Sequence, residues 1–274
     1  MKRRRRLERM EQALQTTNRK TDHEFIQSFL VIPYAPRAPW SPTWANPITG
    51  CAYSLCLCQP CKTMTSAELD ACFSLVRATS QKDYEGSSRG WDPPAKREEM
   101  RHPDLRYILV KDAHSVVQGF TSLMPTIEEG QPVVYCYEIH LEPDLRGTGL
   151  AKLLMGLLET VAYNIDVINK VMLTVFTCNK RALEFYQKCG FVRDEISPQP
   201  RTLRRGKVKV PEYEILSKPV EHRGHTTATA GGAAPNGVPG GAVSSTQDER
   251  NQGVEESTVE PSRPAKIARV ETGL

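Results

Sequence analysis

Residues 133–168 contain the pattern that most restricts the fold of this chain. A β-rich run at 133–141 is followed, after a short loop, by a segment at 150–168 that is apolar at helical spacing. The loop and the start of the helix read Arg146-Gly147-Thr148-Gly149-Leu150-Ala151. Glycines let the backbone approach a ligand closely, and the N-terminus of a helix favours anions. The order of strand, glycine loop and helix predicts a diphosphate cradle, although such loops also simply connect a strand to a helix.

A second motif follows the next predicted strand, at 171–176. It reads Asn179-Lys-Arg-Ala182-Leu-Glu-Phe185-Tyr186-Gln-Lys-Cys-Gly190-Phe191. This is similar to the signature Asn-x-x-Ala-x-x-Phe-Tyr-x-x-x-Gly-Phe of the GNAT superfamily, and the glycine loop resembles that family's Arg/Gln-x-x-Gly-x-Gly/Ala pattern. Two such motifs in the right order are hard to obtain by chance. The chain therefore resembles the GNAT acyltransferases.

This resemblance implies a fold, a cosubstrate and a binding site. The implied fold is α/β (α+β), with a central mixed, mostly antiparallel sheet whose middle strands splay apart, flanked by helices. The implied cosubstrate is acetyl-CoA, with its pantetheine along the strand end, its diphosphate in the glycine loop, and no metal. The implied cofactor-binding residues are Ile139, His140, Leu141, Arg146, Gly147, Thr148, Gly149, Leu150, Ala151, Lys152 and Asn179.

Longer strings resemble one branch of this superfamily, the histone-specific N-terminal acetyltransferases of the NatD type. They are Trp91-Asp-Pro-Pro-Ala-Lys-Arg-Glu-Glu-Met100, Tyr135-Cys-Tyr-Glu-Ile-His-Leu-Glu142, Val171-Met-Leu-Thr-Val-Phe176 and Tyr213-Glu-Ile-Leu-Ser217. The resemblance covers residues 51–218. It implies acetylation of the α-amino group of the N-terminal serine of histones H4 and 2A, which begin Ser-Gly-Arg-Gly, so those N-terminal peptides are the expected partners.

The same resemblance implies a set of peptide-binding positions. They are Tyr84, Glu128, Tyr137, Thr174, Ser197 and Tyr213, with Glu138 next to the acceptor amine. Two positions depart from the family pattern: an aspartate expected two residues before Glu128 is Thr126, and a tryptophan expected near Tyr84 is replaced by Arg89. Both departures weaken the expected hold on the third substrate residue, an arginine.

The candidate catalytic residues are Glu138, Tyr137 and Tyr186. Glu138 has mostly apolar strand neighbours, so its carboxylate must be paired, hydrated or functional. We expect it to be the general base, directly or through a water ordered by Tyr137 and Tyr213. Tyr186 matches the phenol with which many GNAT enzymes protonate the departing thiolate, but a helix residue packing on the sheet fits equally well. No cysteine is expected to act as a nucleophile.

Several of these residues also have a purely structural interpretation. The tyrosines at 135 and 137 share one strand face, where tyrosine is most often packing. Alternation directs His140 to the core or the cofactor and favours a neutral structural role. Glu128 and Glu129, followed by Gly130, fit a polar hairpin turn.

Local signals predict the remaining elements. A capping box of Thr65 and Glu68 opens a helix that ends near residue 78, and a loop covers 82–94. The other predicted helix lies at 181–188. Strands are predicted at 52–58, 105–111, 115–124, 191–193 and 213–216. Five prolines deny regular structure to residues 30–50.

Charge and composition divide the chain into three parts. Residues 1–47 carry nine basic and four acidic residues, residues 48–218 carry 22 and 21, and residues 219–274 carry five and seven. We therefore predict a basic N-terminal arm with a proline-rich lead-in at 1–47, a nearly neutral catalytic domain at 48–218, and a disordered low-complexity tail at 219–274. Residues 1–20 fit either a short charged helix or a disordered arm. The basic residues 2–6 are a candidate import signal or a contact to ribosome or chromatin, and a solvated helix face fits them at least equally well.

Hydropathy favours an intracellular protein without membrane contact, which we expect in nucleus and cytoplasm. No run of 18 apolar residues or signal peptide is recognisable, so the eight cysteines are expected to be reduced thiols. Cys51, Cys56, Cys58 and Cys61 crowd together. They lack the second short cluster of a typical zinc site, and they also fit a strand in which cysteine acts as a small apolar residue.

Two rival functions remain open from sequence. One is a GNAT enzyme that acetylates lysine side chains or a small amine, and lysine would demand stronger deprotonation because its pKa is near 10.4. The other is a non-catalytic GNAT-fold module that binds nucleic acid through residues 2–6. The complete glycine loop and Asn179 argue against this second rival.

Overall fold

The computed structural model describes residues 2–32, 39–202, 204–206 and 208–221. The helices are α1 Lys2–Arg19, α2 Asp22–Phe29, α3 Ser66–Glu85, α4 Pro93–Met100, α5 Leu150–Asn164 and α6 Lys180–Lys188. The strands are β1 Thr43–Ala45, β2 Ala52–Cys58, β3 Arg106–Lys111, β4 Val117–Glu128, β5 Gln131–Leu141, β6 Lys170–Phe176, β7 Val192–Arg193, β8 Arg201–Thr202, β9 Val208–Lys209 and β10 Tyr213–Pro219.

Eight strands form one mixed sheet in the order β1-β2-β3-β4-β5-β6-β10-β7, and β8 pairs with β9 separately. Neighbouring strands in the large sheet are antiparallel, except β5 and β6, which are parallel. A parallel pair requires a crossover, and α5 provides it. The mixed, mostly antiparallel sheet is the one expected of the GNAT fold, and that prediction is confirmed.

The two parallel strands separate partway along their length. Their ladder runs from the pair Val134 and Val171 to the pair Cys136 and Leu173. β5 continues to Leu141 and β6 to Phe176, and no further pair joins them in the described part of the chain. The backbone of β5 beyond Cys136 is therefore open on its β6 side.

A β-bulge interrupts β5 at the same point. Ser122 of β4 lies opposite Glu138, but the next residue, Leu123, lies opposite Cys136, so Tyr137 is an extra residue in the ladder. An extra residue breaks the alternation of side chains. Tyr137 and Glu138 consequently both lie on the sheet face that α3 and α4 cover.

Helices pack on both faces of the sheet. On one face, α1, α2, α5 and α6 bury an aliphatic cluster that includes Leu14, Leu154 and Leu183. On the other face, α3 and α4 cover a cluster rich in aromatic side chains, among them Phe73, Tyr107 and Phe120. The cleft between the diverging strands lies between these two layers.

The segment after residue 78 differs from its predicted structure. The predicted capping box of Thr65 and Glu68 is present, but α3 continues to Glu85 instead of ending near 78. The polar residues Thr79 and Ser80 lie inside this longer helix and are buried. α4 was not predicted, because its two leading prolines resembled loop residues.

Smaller differences concern element ends. A short strand, β1, lies in the proline-containing lead-in, and α5 stops four residues before the predicted end at 168. The predicted turn after Glu128 is confirmed, because Glu129 and Gly130 have φ values of 47° and 75° and join β4 to β5. Both values lie in the left-handed region that tight hairpins require.

The N-terminal segment is helical and packs on the sheet. Thr21 and Glu24 form a capping box at the start of α2, and Phe25 and Leu30 are fully buried. Arg106 of β3 fixes the turn between α1 and α2: its guanidinium donates to the Asp22 carboxylate at 2.7 Å and contacts the ring of Phe25. The segment predicted as an arm and lead-in therefore contributes side chains to the core.

The predicted start of the tail, residue 219, lies inside the packed structure. Pro219 ends β10, and the buried Val220 donates its N–H to the Asn169 carbonyl at 2.8 Å. The rest of the predicted tail, from residue 222, is outside the described residues. None of the described helices is both long and apolar enough to cross a membrane.

Candidate active site

The cleft where β5 and β6 diverge has two differently built sides. We call residues 141–152 together with Asn179 the cofactor side. The amine side comprises Tyr84, Lys96, Tyr137, Glu138 and His140. The cofactor side lies at the start of α5, and the amine side lies between the β5 bulge and helices α3 and α4.

Glu138 is the buried carboxylate of the amine side, with a side chain only 2% exposed. One carboxylate oxygen contacts the Lys96 ammonium, and the other lies 2.5 Å from His140 Nε2. Burial raises the pKa of this carboxyl, but the Lys96 charge and the His140 contact outweigh it and hold the pKa below its ordinary value. Glu138 is therefore an anion and a weak proton acceptor.

Lys96 was missed by the sequence analysis. Its side chain is 5% exposed, and its Nζ lies next to Glu138, 2.5 Å from Glu99 Oε1 and 3.2 Å from the Tyr84 hydroxyl. A detectable signal existed, since Asp92 followed by Pro93 is a typical helix start and the Asp92 side chain accepts the Ala95 N–H at 2.9 Å. That helix, α4, carries Lys96 to the sheet.

His140 joins the same buried network. Its Nδ1 lies 2.7 Å from the Thr79 hydroxyl of α3, and its Nε2 contacts Glu138. The Thr79 hydroxyl also donates to the Leu75 carbonyl at 2.8 Å. Both ring nitrogens are therefore engaged within this buried network, and the predicted neutral structural role of His140 stays a prediction. The predicted contact of its backbone with pantetheine stays a prediction.

Tyr84 lies at the C-terminal end of α3, not in a loop. Its ring contacts the rings of Phe176 and Trp91, with centroid distances of 5.0 and 5.5 Å. Its hydroxyl accepts a hydrogen bond from Lys96. Burial raises the pKa of Tyr84 to about 12, so the phenol stays protonated at neutral pH.

Two further predicted peptide positions lie next to the bulge. Tyr137 is buried with its ring 5.4 Å from that of Tyr135, in an edge-to-face arrangement. The Tyr135 hydroxyl lies 2.5 Å from the Thr174 hydroxyl. Because Thr174 is the first β6 residue beyond the ladder, this contact links the two strands where they diverge.

The remaining peptide positions lie at the rim. The buried Ser197 hydroxyl accepts the Ile215 N–H at 3.0 Å, and its loop is held by the Lys170 and Asp194 ion pair of 2.7 Å. Tyr213 is half-buried at the start of β10, opposite Phe176. The other rim positions are Glu128 and Thr126, both half-buried on β4, and Arg89, which is exposed.

The cofactor side contains a pocket of about 140 Å³. The pocket is lined by Leu141, Leu145, Arg146, Gly147, Gly149, Ala151, Lys152 and Phe185. Gly147 and Gly149 have φ values of 73° and 87°, in the left-handed region that side chains disfavour. The Arg146 Nε donates to the Leu141 carbonyl at 3.1 Å, which fixes the loop against the end of β5.

Three other cofactor candidates have defined positions. Asn179 caps α6 through its Oδ1, which accepts the Ala182 N–H at 3.0 Å, and its buried Nδ2 has no hydrogen-bond acceptor among the described residues. A buried donor without an acceptor suits a site that binds a carbonyl or phosphate oxygen. Thr148 donates its hydroxyl to the Leu145 carbonyl at 2.7 Å, and Leu150 is buried in the core.

Tyr186 is fully buried on α6. Its ring packs edge-on against Phe185 and Phe191, at centroid distances of 5.4 and 5.9 Å. These contacts agree with the packing interpretation of this residue. Proton donation by its phenol stays a prediction.

The clustered cysteines occupy unlike environments. Cys51 and Cys61 are exposed, Cys56 is half-buried and Cys58 is buried. Cys56 and Cys58 lie on β2, as the strand interpretation predicts. Among the described residues, no group of three histidine, cysteine, aspartate or glutamate side chains is arranged to hold a metal ion.

Comparison with known proteins gives matches at the level of sequence and of fold. Residues 69–191 match the family model described as the Acetyltransferase (GNAT) family. A curated relative, N-alpha-acetyltransferase 40 of Saccharomyces cerevisiae, is 34% identical over 173 residues. The matched region is 52% of this chain and 60% of the relative, so the chain covers only part of that relative's length.

Solved structures of acetyltransferases share lower similarity. The GNAT-family acetyltransferase of Staphylococcus aureus Mu50 is 10% identical, covers 61% of this chain and 100% of its own, and has a TM-score of 0.45. The spermidine N-acetyltransferase of Vibrio cholerae, in complex with CoA and spermine, is 18% identical, covers 60% and 95%, and has a TM-score of 0.41. Together with the sheet described above, the family-model match shows that this chain has the fold of the GNAT acetyltransferase family.

Proposed function

We propose that this chain is an N-terminal α-acetyltransferase of the NatD type, which transfers acetyl from acetyl-CoA to the N-terminal serine amine of histones H4 and 2A. The observation that carries the proposal is the buried Glu138 anion beside the strand divergence, which shares a sheet face with Tyr137 and a lysine partner, Lys96, with Tyr84 of α3. An anion in a narrow aromatic cleft attracts an amine. The relative named N-alpha-acetyltransferase 40 supports the same class of reaction.

The cofactor side fits acetyl-CoA. Backbone N–H groups of residues 147–152 at the start of α5 would hold the diphosphate, with the exposed Lys152 beside them. The Asn179 Nδ2 would donate to a further oxygen. Acetyl-CoA, when bound, supplies an electrophilic thioester carbon, to which the new N–C bond forms as the C–S bond breaks.

The substrate amine needs little help to lose its proton. An α-amino group has a pKa of about 7.7–8.0, so a substantial fraction is neutral near pH 7.5. The depressed pKa of Glu138 makes it a poor final proton acceptor. We propose that Glu138 orients the amine by accepting its N–H and passes the proton to water, with Tyr137 and Tyr213 ordering that path.

Backbone groups supply the remaining chemistry. The strand N–H near Ile139, on the open side of β5, would donate to the thioester oxygen as negative charge develops there. Tyr186 is the proposed proton donor to the departing sulfur. A cysteine nucleophile is not required: burial raises the pKa of Cys136, the thiol on β5 beside the bulge, to about 12 and keeps it protonated.

The rim would read the substrate sequence. In this proposal Tyr84, Tyr137 and Tyr213 would form a narrow wall that leaves little room for a long first side chain, which would favour serine followed by glycine. Glu128, half-buried at the end of β4, is the proposed partner of the arginine at the third position. Thr174 and Ser197 would contact the peptide backbone.

Mass spectrometry of acetylation tests the proposed function. The substrates are a Ser-Gly-Arg-Gly peptide and the same peptide with a blocked N-terminus and one free lysine. We expect an acetyl group on the N-terminal amine of the first peptide and none on the second. Acetylation of lysine alone, or of spermidine in preference to both peptides, would replace this proposal with the rival GNAT activity.

A second proposal concerns the partners and the location of the protein. Arg3 to Arg6 of α1 are exposed, and within the described part of the chain only Arg4 of these four has an acidic partner, Glu8 at 3.0 Å, so this face of the helix can contact phosphates of ribosome or chromatin. We propose that these residues make such contacts and that the protein works in nucleus and cytoplasm. Neutralising the four arginines should remove salt-dependent binding to ribosomes and nucleosomes and leave peptide acetylation intact; unchanged binding would contradict it.

A further inference from the structure

Lys96 is the buried cation of the amine side, and each hydrogen of its ammonium has an acceptor nearby. An ammonium has three hydrogens and accepts none. Three acceptors surround Lys96 Nζ: a Glu138 oxygen, a Glu99 oxygen at 2.5 Å and the Tyr84 hydroxyl at 3.2 Å. Lys96 therefore has no donor left for a substrate. Lys96 can therefore affect a substrate only through the residues that its ammonium contacts.

The first such group is Tyr84. Because the Tyr84 oxygen accepts from Lys96, its own hydrogen must point away from the ammonium. No acceptor for this hydrogen is found among the described residues, and burial keeps the phenol protonated by raising its pKa to about 12. Tyr84 thus offers a hydrogen-bond donor.

The second group is Glu138, which can only accept while it is ionised. The titratable groups around it are Lys96 and Glu99 of α4, Tyr84 of α3, Tyr107 of β3, and Cys136 and His140 of β5. Burial alone would raise its pKa, and the nearby Lys96 charge reverses that effect. Removing the Lys96 charge should therefore favour the protonated carboxyl, which would present a donor as well as an acceptor.

The two groups are close together because they share one partner. Each lies within hydrogen-bonding distance of the same nitrogen atom, so the Tyr84 oxygen and the Glu138 oxygen are at most about 6 Å apart. A donor and an acceptor at that spacing match an amine and a carbonyl attached to one carbon. The N-terminal residue of a chain has this unit, H₂N–Cα–C=O. A lysine side chain does not, since four methylenes separate its amine from its Cα.

We propose that Lys96 is a positioning residue that fixes the hydrogen-bonding roles of two groups on the amine side. It makes Tyr84 a donor for the first substrate carbonyl and Glu138 an acceptor for the α-amine. This inference rests on the proposed function. It adds a way for the site to distinguish an α-amine from a lysine side-chain amine. Lys96 touches neither the substrate nor the cofactor in this scheme.

The test compares Ser-Gly-Arg-Gly with an analogue in which an alkene replaces the first peptide bond. The alkene removes the carbonyl and the amide N–H of that bond without adding a charge, so the carbonyl is identified by the variants that lose its hydrogen bond. We expect wild type to prefer the natural peptide by about tenfold or more in kcat/KM, because the Tyr84 hydrogen bond is lost in the analogue. Tyr84→Phe and Lys96→Met should each reduce this preference to about twofold or less.

A pH profile adds a readout that a merely structural residue would not change. In Lys96→Met the acidic limb of kcat/KM should move to higher pH, since the buried Glu138 carboxyl is no longer held as an anion. Lys96→Arg keeps the charge and should restore the acidic limb towards its wild-type position. Lys82→Met removes an exposed lysine of α3 and should alter neither the preference nor the profile.

Folding is checked by acetyl-CoA binding, measured by calorimetry, because the cofactor side contains none of these residues. If Lys96→Met does not fold, Lys96→Met/Glu138→Gln removes both buried charges and should show the same loss of carbonyl preference. A folded Lys96 variant that keeps the preference and the pH profile overturns the inference alone. A wild type that acetylates only the lysine of the blocked peptide removes the proposed function, and the inference with it.

Discussion

The cofactor side and the amine side are built from different kinds of groups. The cofactor side uses one continuous loop and helix start, with backbone N–H groups and two glycines of positive φ, plus the Asn179 amide. The amine side uses side chains from three elements, α3, α4 and β5, joined by buried charges. A site made of backbone groups can be predicted from the positions of the glycines in the sequence. A side-chain site exists only once distant segments have packed, so single substitutions should damage it more.

Glu138→Gln should give the largest effect. The amide loses the charge that Lys96 faces and can no longer attract the amine as an anion. We expect kcat/KM for the Ser-Gly-Arg-Gly peptide to fall by about 10²–10³-fold, with the affinity for acetyl-CoA within twofold. Steady-state kinetics and calorimetry measure the two quantities.

Glu98→Gln is the matched control for that variant, because Glu98 is an exposed acid on α4. It should leave both quantities near wild type. An equal loss of acetyl-CoA affinity in Glu138→Gln would mean that the two sides are not independent.

Gly149→Asp tests the cofactor side. A carboxylate next to the diphosphate should raise the KM for acetyl-CoA by about ten- to a hundredfold through charge repulsion and backbone strain at φ 87°, with little effect on the peptide KM. Gly149→Ala separates the two causes: a Cβ there meets nothing within 4 Å, so alanine adds strain without contact or charge. Unchanged cofactor affinity in the folded Asp variant would exclude residues 147–152 from the site.

Glu128→Lys should have a smaller and more selective effect at the rim. We expect wild type to prefer Ser-Gly-Arg-Gly over Ser-Gly-Ala-Gly by about tenfold, since a partly desolvated charge pair contributes about 1.5 kcal/mol, and Thr126 provides no second acid. The Lys variant should lose that preference. Glu129→Lys, at the neighbouring turn position, is the control. A wild type indifferent to arginine would show that Glu128 is not the reader.

Truncation after Glu221 should have the smallest effect. The predicted tail lacks the apolar residues needed to offset the entropy of ordering, so kcat/KM should stay within about twofold of wild type. Truncation after Lys218 is an informative comparison, because it also removes the buried Val220 and should destabilise the fold. A folded protein ending at Glu221 that has lost most activity would contradict this expectation.

The same contrast explains what the sequence could predict. Strands β2, β3, β5 and β6, the glycine loop and α6 depend on local periodicity and motifs, and all were predicted within two residues of their observed bounds. β4 was predicted at 115–124 but ends four residues later, at Glu128. The end of α3 was misjudged because Thr79 and Ser80 are polar yet buried. Thr79 contacts His140 in this buried position, and His140 lies 61 positions away along the chain.

Lys96 could not be assigned a role from sequence for the same reason. A lysine among charged neighbours normally lies in solvent. Its burial follows from the packing of α4 against the β5 bulge, which brings it to Glu138. Only a contact between segments about forty residues apart reveals this pair, and neither residue's immediate neighbours in the sequence indicate it.

The bulge in β5 also sets the phase of the whole strand. Val134 and Cys136 lie on the aliphatic face before it, and Ile139 and Leu141 lie on that face after it, so odd and even positions exchange roles at Tyr137. A strict period of two counted from Cys136 would assign Glu138 to the aliphatic layer. Deleting Tyr137 should therefore restore an uninterrupted ladder between β4 and β5. Cys136 and Glu138 would become neighbours in sequence and would still lie on opposite faces of the sheet. Tyr135 would then be two positions before Glu138 instead of three. An insertion or deletion of one residue in this strand would therefore exchange the two faces of β5. An alignment that is wrong by one residue here would assign Glu138 to the aliphatic face of the sheet.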